Sequence, residues 1–253
     1  MLGPPGTFKT AHPAQITLGE RPGLWDNLTD QPIEVSRRTP VAAKRYFIRT
    51  QRGGSRVRAS VQVETRFLEQ EANLLYWATS LHELCKAFVK KYQQSHPGSA
   101  AAQLDIPETR MVRGGLFQYG PNSDDKHKGL VILIEELVTT QEARGQKGSH
   151  FVKFISNASP IPRETVGPPG RVGRFLSFCQ HIQYVKTGGH AFISDYQGSL
   201  TLLSDPQIVT NPDLGAIFGD GNVSSAFNEF QMLHQCNEFC KAFDLVPLQS
   251  TRS

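Results

Sequence analysis

What the sequence lacks narrows the field first. No apolar run exceeds five residues, the most aliphatic being Leu130 to Ile134, whereas a bilayer-spanning helix needs roughly 20. The N-terminus has no apolar core of the kind a secretory signal carries. These two absences predict an intracellular, cytoplasmic protein without membrane attachment. Cysteine is sparse, four in 253 residues, and without a secretory signal Cys85, Cys179, Cys236 and Cys240 read as core thiols or metal ligands before disulfides. Charge of one sign is scarce too: 27 Lys and Arg against 23 Asp and Glu leave a formal net charge of +4, with no long basic run. Nucleic-acid binding, which needs a concentrated basic face, is disfavoured; an anionic nucleotide or an acidic peptide suits the balance.

What is present fits a folded protein with a site. A chain 38% hydrophobic and 20% charged can bury a full core, as one large domain or as two lobes. Four chemical signals gather between His181 and Cys240. Asp195 and Asp205 each end an apolar run, a Gly-x-Gly turn follows at Gly219 to Gly221, and His234-x-Cys236-x-x-x-Cys240 closes the stretch. Zinc needs four such ligands, and this spacing supplies three, so a fourth must come from elsewhere.

The opening, MLGPPGTFKTAH, places Gly3 and Gly6 around two prolines. A Walker loop needs glycine where Phe8 stands, and a buried strand where only two residues precede Gly3. A glycine-turned hairpin over a nucleotide, with Lys9 toward phosphate, fits better. The strand pattern of Pro40 to Ile48 contains Lys44, either a solvent-facing lysine or one that reaches nucleotide phosphates. Val63 to Tyr92 carries helical spacing, with Glu71 or Glu69 as a carboxylate that could pair with Lys44. Thr109 to Tyr119 alternates like a strand and ends in the turn cluster Gly120 to Asp125. Leu130 to Ile134 reads as a buried strand, closed by Glu135 and Glu136, that leads into a hinge able to bond an adenine.

Further on, Gln141 to Ser149 reads as an exposed loop, and Lys153 and Asn157 lie four apart beside aromatic residues. Ser159 to Gly173, rich in Pro and Gly, is expected to be a lid or a long connection. Phe175 to Tyr184 is a helix or a strand, and His190 to Ser194 a strand after a Gly188-Gly189 turn. Ser224 to Phe243 reads as one helix, capped by Ser224 or Ser225, with Cys236 and Cys240 sharing a face.

Together these residues resemble the alpha-kinases, the atypical protein kinases related to myosin heavy chain kinase and elongation-factor-2 kinase, and in particular the fungal members. The resemblance rests on four ordered motifs: Asp195-Tyr196-Gln197-Gly198, Ser204-Asp205-Pro206-Gln207-Ile208, Phe218-Gly219-Asp220-Gly221-Asn222 and His234-Gln235-Cys236-Asn237-x-x-Cys240. More weakly, GTFKTAH, AAKRYF, IEEL and VKFISN extend it over nearly the whole chain.

The resemblance implies an α+β, two-lobed kinase-like fold over residues 1–253, with a small lobe over about 1–134 and a large lobe over 135–253. A nucleotide cleft would lie between the lobes and a structural zinc in the large one. It implies ATP- and magnesium-dependent phosphorylation of protein Ser or Thr. Asp195 would orient or deprotonate the substrate hydroxyl, Gln197 and Asp205 would face Mg2+, and Lys153 with Asn157 would sit beside the transferred phosphoryl. Lys44 would hold the nucleotide phosphates with Lys9 assisting, and Glu135 would lie at the adenine hinge. The family's fourth zinc ligand, a histidine upstream of the Asp motif, falls on His181, to join His234, Cys236 and Cys240. Four protein ligands leave zinc no open position, hence a structural rather than catalytic ion. The alternative of another class is a zinc-stabilised pseudokinase or binding module. Two features point to it: a chain that begins almost at the glycine hairpin, and Ser224 where the family's loop ends in glycine, a residue freer at positive φ.

Overall fold

The computed structural model describes residues 2, 8–16, 25–26, 31–32, 39–49, 54–124, 126–138, 151–215, 217–218 and 223–248. In chain order the main elements begin with β1 (Lys9–Ile16), β2 (Thr39–Tyr46), α1 (Val61–Ser95), β3 (Arg110–Met111), β4 (Gly114–Gln118) and β5 (Val131–Glu136). There follow β6 (Val152–Lys153), β7 (Ile155–Ser156), β8 (Ser159–Pro162), α2 (Gly167–Lys186), β9 (Ala191–Ser194), β10 (Gln197–Gly198), β11 (Leu202–Ser204), β12 (Gln207–Thr210), α3 (Ser224–Leu233) and α4 (Glu238–Ala242). Two further two-residue ribbons pair Trp25–Asp26 with Gln31–Pro32 and Ile48–Arg49 with Arg56–Val57. The fold is α+β, and the chain divides into two compact units interleaved in sequence: 1–69 with 113–137, and 70–112 with 138–253. The first unit takes in the later segment because β5 returns to pair with β2.

In the first unit the sheet order is β1-β2-β5-β4, with antiparallel neighbours. Pro13 confines β1 to an edge, since proline has no N–H to give a second neighbour. Along β5, alternation buries Val131, Leu133 and Glu135. A carboxylate at a buried strand position must be paired. The register sets Glu135 opposite Ala42 and Leu133 opposite Lys44, so Glu135 and Lys44 are diagonal neighbours on one face, and their side chains meet at 2.7 Å. Glu64, fully buried at the start of α1, is held by Arg45 Nε at 3.1 Å and Arg58 Nη2 at 2.8 Å, while Tyr46 stacks on Phe67 at 3.9 Å between ring centres. Burial raises the Glu64 carboxyl, and the Arg58 charge opposes that rise.

The second unit has its core on α1 and α2. Leu75, Ala78, Cys85 and Val89 recur at helical spacing along α1 and pack with Phe175, Phe178, Cys179 and Ile182 of α2 and with Phe239 and Phe243. The expected helix over Val63 to Tyr92 is present and extends to Val61 and Ser95. The loop expected over Ser159 to Gly173 is not what forms: Ser159–Pro162 is strand and α2 starts at Gly167. Pro168 and Pro169 sit in the first helical turn, where the N–H that proline lacks would have had no partner, so they open the helix instead of breaking it. Phe175 to Tyr184 lies within that helix.

His82 of α1 is 1% exposed, with Nε2 at 3.1 Å from the Thr109 carbonyl. That carbonyl can only accept, so the ring proton sits on Nε2. Burial holds this imidazole down from 6.5 to about 4, with the Thr109 backbone pulling the other way. The unfolded chain therefore binds a proton at His82 through a window in which the folded chain does not. Stability present at neutral pH is expected to fall as pH drops through that window, by about 3 kcal/mol from His82 on reaching pH 4. Urea unfolding near neutral pH and near about pH 5 should show a steeper decline for the wild type than for His82→Asn; equal declines would remove His82 from this account.

The single helix expected over Ser224 to Phe243 is two. α3 ends at Leu233, His234 is extended at φ −64°, ψ 127°, and α4 starts at Glu238. Asn237 makes the break, because its side chain accepts from Phe239 N and Cys240 N and so caps a new helix. Cys236 therefore precedes α4 and does not share a helix face with Cys240. The cap expected from Ser224 or Ser225 is also absent: the N-cap of α3 is Val223, with no side-chain cap bond. Ser224 is itself helical, so the positive-φ cost that counted toward a non-catalytic module is not incurred. Gly3, Gly6, Gly53, Asp125, Gln141 to Ser149 and Gly219 to Asn222 lie outside the described residues.

Candidate active site and metal centre

The second unit places Asp195 on the short link between β9 and β10, directly after a strand whose Phe192, Ile193 and Ser194 are buried. Its backbone is left-handed, φ 55°, as is that of Asp205 between β11 and β12, φ 54°. For a non-glycine residue such backbone is strained and persists where neighbours hold it. Lys153 Nζ of β6 lies 2.7 Å from Asp195 Oδ1, with the lysine side chain 37% and the aspartate 15% exposed. Gln197 Nε2 donates to Asp205 O at 3.2 Å and reaches Asp195 Oδ2 at 3.5 Å. Asn157 joins through Ser194, whose hydroxyl donates to Asn157 Oδ1 at 2.6 Å. Lys153, Asn157, Asp195, Gln197 and Asp205 are thus brought together, as a carboxylate at a strand end facing a cation with the Gln197 amide and the Asp205 backbone carbonyl beside it.

Gly198, which pairs with Leu203, is required by that arrangement. Its φ is 148°, and a Cβ there would lie 2.0 Å from Leu202 O and 2.9 Å from Leu203 Cα. Gly198→Ala is expected to force β10 off β11 and cost at least about 3 kcal/mol. Chemical denaturation would register this as a lower midpoint, and a midpoint equal to the wild type would mean the backbone there yields freely.

In the first unit, strand pairing puts Lys9 opposite Tyr46 and Ala11 opposite Lys44. Lys9 and Lys44 therefore project from the same face of the sheet. Within the sheet Lys44 pairs with Glu135, 4% exposed, through the 2.7 Å ion pair. Glu135 lies inside β5, so its side chain serves this pair; the neighbouring Glu136 takes Arg113 Nε at 3.0 Å and Nη2 at 2.8 Å.

The second cluster of the second unit gathers His181 of α2, His234 at the end of α3, Cys236 of the link and Cys240 of α4, with one donor atom of each within 4.8 Å of the others. Cys236 Sγ lies 3.8 Å from His181 Nδ1, and Cys240 Sγ 3.8 Å from His234 Nε2. Tetrahedral zinc with ordinary Zn–N and Zn–S bonds would set such donors about 3.3–3.8 Å apart, so this set fits a zinc ion with small adjustments. Burial holds the His181 imidazole down to about 4; burial and the neighbouring His181 hold His234 down to about 3. Both rings are therefore neutral and can offer a lone pair. Burial pushes the Cys240 thiol up to about 12, so a bound cation would have to displace its proton. Cys85 and Cys179 are buried elsewhere in the core, with Cys85 Sγ 3.4 Å from Cys179 O.

Two side chains that sequence reasoning did not single out, Gln180 and Gln183, also converge on the strand before Asp195, with Gln183 bonded to Tyr196 of its motif. Gln180, Gln183 and Tyr196 are each at most 1% exposed. The signal that could have found the glutamines is their place at buried positions of an otherwise apolar stripe, where a polar group needs a partner.

Among known proteins, the profile of the alpha-kinase family matches residues 34–240. Alpha-protein kinase 2 of Danio rerio is 36% identical over 164 residues, 65% of this chain and 7% of that protein. Alpha-protein kinase 2 of Mus musculus is 40% identical over 72 residues, 28% of this chain and 3% of that protein, so the match spans a small part of both relatives. Among solved structures, the alpha-kinase domain of myosin-II heavy chain kinase A in complex with AMP-PNP superposes with a TM-score of 0.55 at 19% identity, over 96% of this chain and 84% of that one. An inactive form of that domain complexed with ATP gives 0.57 at 19% identity, over 96% and 86%. At that identity the likeness shows a shared α+β kinase-like fold.

Proposed function

The chain belongs to the alpha-kinase family, and from that premise we propose that it moves the γ-phosphoryl of ATP to a serine or threonine hydroxyl of a protein substrate, with Mg2+. The observation that carries this reading is the Lys153–Asp195 pair at 2.7 Å, with Gln197 reaching both Asp195 and Asp205. Phosphoryl transfer asks little covalent help of a protein; it asks for cations on the oxygens and a carboxylate that aligns the nucleophile. Asp195 accepts the hydrogen bond of the substrate hydroxyl and then its proton. Lys153, beside it, neutralises charge on the transferred group, and Asn157 is held next to it through Ser194.

Asp205 and Gln197 supply hard oxygen donors of the kind Mg2+ takes, and the ion there would neutralise phosphate oxygens. Lys44, kept in place by Glu135, and Lys9 on the same sheet face bind the nucleotide phosphates. Glu135 is thereby assigned to Lys44 through its side chain, with its backbone as the adenine-proximal group. Zn2+ would be held by His181, His234, Cys236 and Cys240 and would tie α2, α3 and α4 together without chemistry of its own. Residues 1–253 constitute one kinase domain in this reading.

The test is incubation of the protein with γ-labelled ATP, Mg2+ and a basic test protein, followed by identification of the labelled residue. Label on serine or threonine supports the assignment. A zinc-loaded, folded protein that labels nothing would instead support the non-catalytic binding module.

A further inference from the structure

Asp195 is left-handed and has no glycine's freedom, so something must hold its turn. The chain on both sides of it is fixed by one side chain. Gln183 Oε1 accepts from the Ile193 N–H at 2.9 Å, two residues before Asp195, and Gln183 Nε2 donates to the Tyr196 hydroxyl at 3.0 Å, one residue after it. Because an N–H can bond only to the amide oxygen, the orientation of the amide is settled by Ile193. The same Nε2 lies 3.3 Å from Leu81 O of α1, which anchors the amide to a second helix. Gln180, one turn earlier, donates to the other backbone group of Ile193, its carbonyl, at 2.8 Å. The Tyr196 carbonyl in turn accepts from Phe154 N at 2.8 Å, next to Lys153.

We propose that Gln183 is the positioning residue for Asp195: its amide brackets the turn, and so sets where the carboxylate stands relative to Lys153 and the incoming hydroxyl. The proposal rests on Asp195 carrying the transfer. Gln183 does not touch the reacting atoms; it acts through the Ile193 backbone on one side and the Tyr196 side chain on the other. Displacing a reacting group by about 1 Å can cost on the order of a hundredfold in rate. The location of the bracket also matters. Gln180 and Gln183 flank His181 on the same stretch of α2, so the helix that offers a ligand to the metal cluster presents two amides to the strand ahead of Asp195.

The test compares wild type with Gln183→Met, close in shape but without the amide, and with Tyr196→Phe, which removes only the hydroxyl that accepts from Gln183 Nε2. Steady-state transfer from labelled ATP is measured with amide hydrogen exchange at Ile193. Expected for Gln183→Met is a kcat at least about tenfold lower, a KM for ATP within about twofold of wild type, and faster exchange at Ile193 in protein that is still folded. Tyr196→Phe should give a smaller loss of the same kind, and it decides the matter if Gln183→Met does not fold. A purely structural role would lower the thermal midpoint while leaving the kcat of the folded protein unchanged, and that result overturns the proposal. An inactive wild type would overturn the kinase reading itself, whereas an active wild type with fully active variants overturns only the role of Gln183.

Discussion

Asp195→Ala is expected to lower phosphate transfer by about a thousandfold or more while leaving the protein folded. Two effects combine. The substrate hydroxyl loses its acceptor, and Lys153 Nζ, now 2.7 Å from the carboxylate, loses the counter-charge that holds it. The fold should tolerate the change because Asp195 sits at a turn and not in the core, and because alanine removes only the side chain. The Ile193 and Tyr196 contacts that hold the strained turn remain in place, against the somewhat greater cost of alanine at a left-handed φ. ATP binding should survive, because Lys44 and its Glu135 partner belong to a different sheet. The measurement is single-turnover transfer together with ATP affinity by titration. More than a tenth of wild-type transfer in the variant would remove Asp195 from the chemistry.

Cys240→Ala should act in the opposite manner, on the fold before the rate. His181, His234, Cys236 and Cys240 come from α2, the end of α3, the link and α4. Besides this set, α4 is tied to α2 by the part-exposed Arg174–Glu238 ion pair at 2.7 Å and by Asn237 Nδ2 donating to Arg174 O at 2.8 Å. In small zinc domains the metal contributes on the order of 10 kcal/mol, comparable with the whole stability of a typical domain. Loss of one thiolate from the set is therefore expected to abolish stoichiometric zinc and to unfold the unit made of 70–112 and 138–253. Metal analysis of the purified variant and its thermal unfolding would show both, and chelation of the wild type should reproduce them. A stable, metal-free Cys240→Ala protein with full activity would overturn the structural-zinc assignment.

How far the sequence could be read depended on the kind of signal. α1 was legible because its apolar residues recur at helical spacing for many turns, so that neighbouring errors average out. The break between α3 and α4 was not, because Leu233, Cys236, Phe239, Cys240 and Phe243 keep that spacing across it; only the capping habit of Asn237 marks the interruption. The prolines of α2 misled for a local reason, since the same residues that end a helix also start one. At the site, the residues quoted from motifs do assemble, Lys153 with Asp195 and the four His/Cys donors among them. The Lys44–Glu135 pair was out of reach, because it depends on the register of β2 against β5, a relation between distant segments that composition and periodicity do not encode. Gln183 was out of reach for the same reason, since its partners lie 10 and 13 residues ahead across a turn and only the packed helix brings them to one amide.

A ribosome making this chain releases β2 with one neighbour, β1, and an unfilled edge on its other side. The strand that fills that edge, β5, is not complete until Glu136 has emerged. At common translation speeds the open edge persists for on the order of ten seconds. During that time it is a template for any stray strand, whether from the same nascent chain or from another. The buried lysine and the proline at the start of β2 make it a poor one, since Lys44 has not yet met Glu135 and Pro40 lacks an N–H. Yield in a cell should thus depend on how long chaperones shelter that edge, and slow codons before residue 131 should lower the recovered soluble protein.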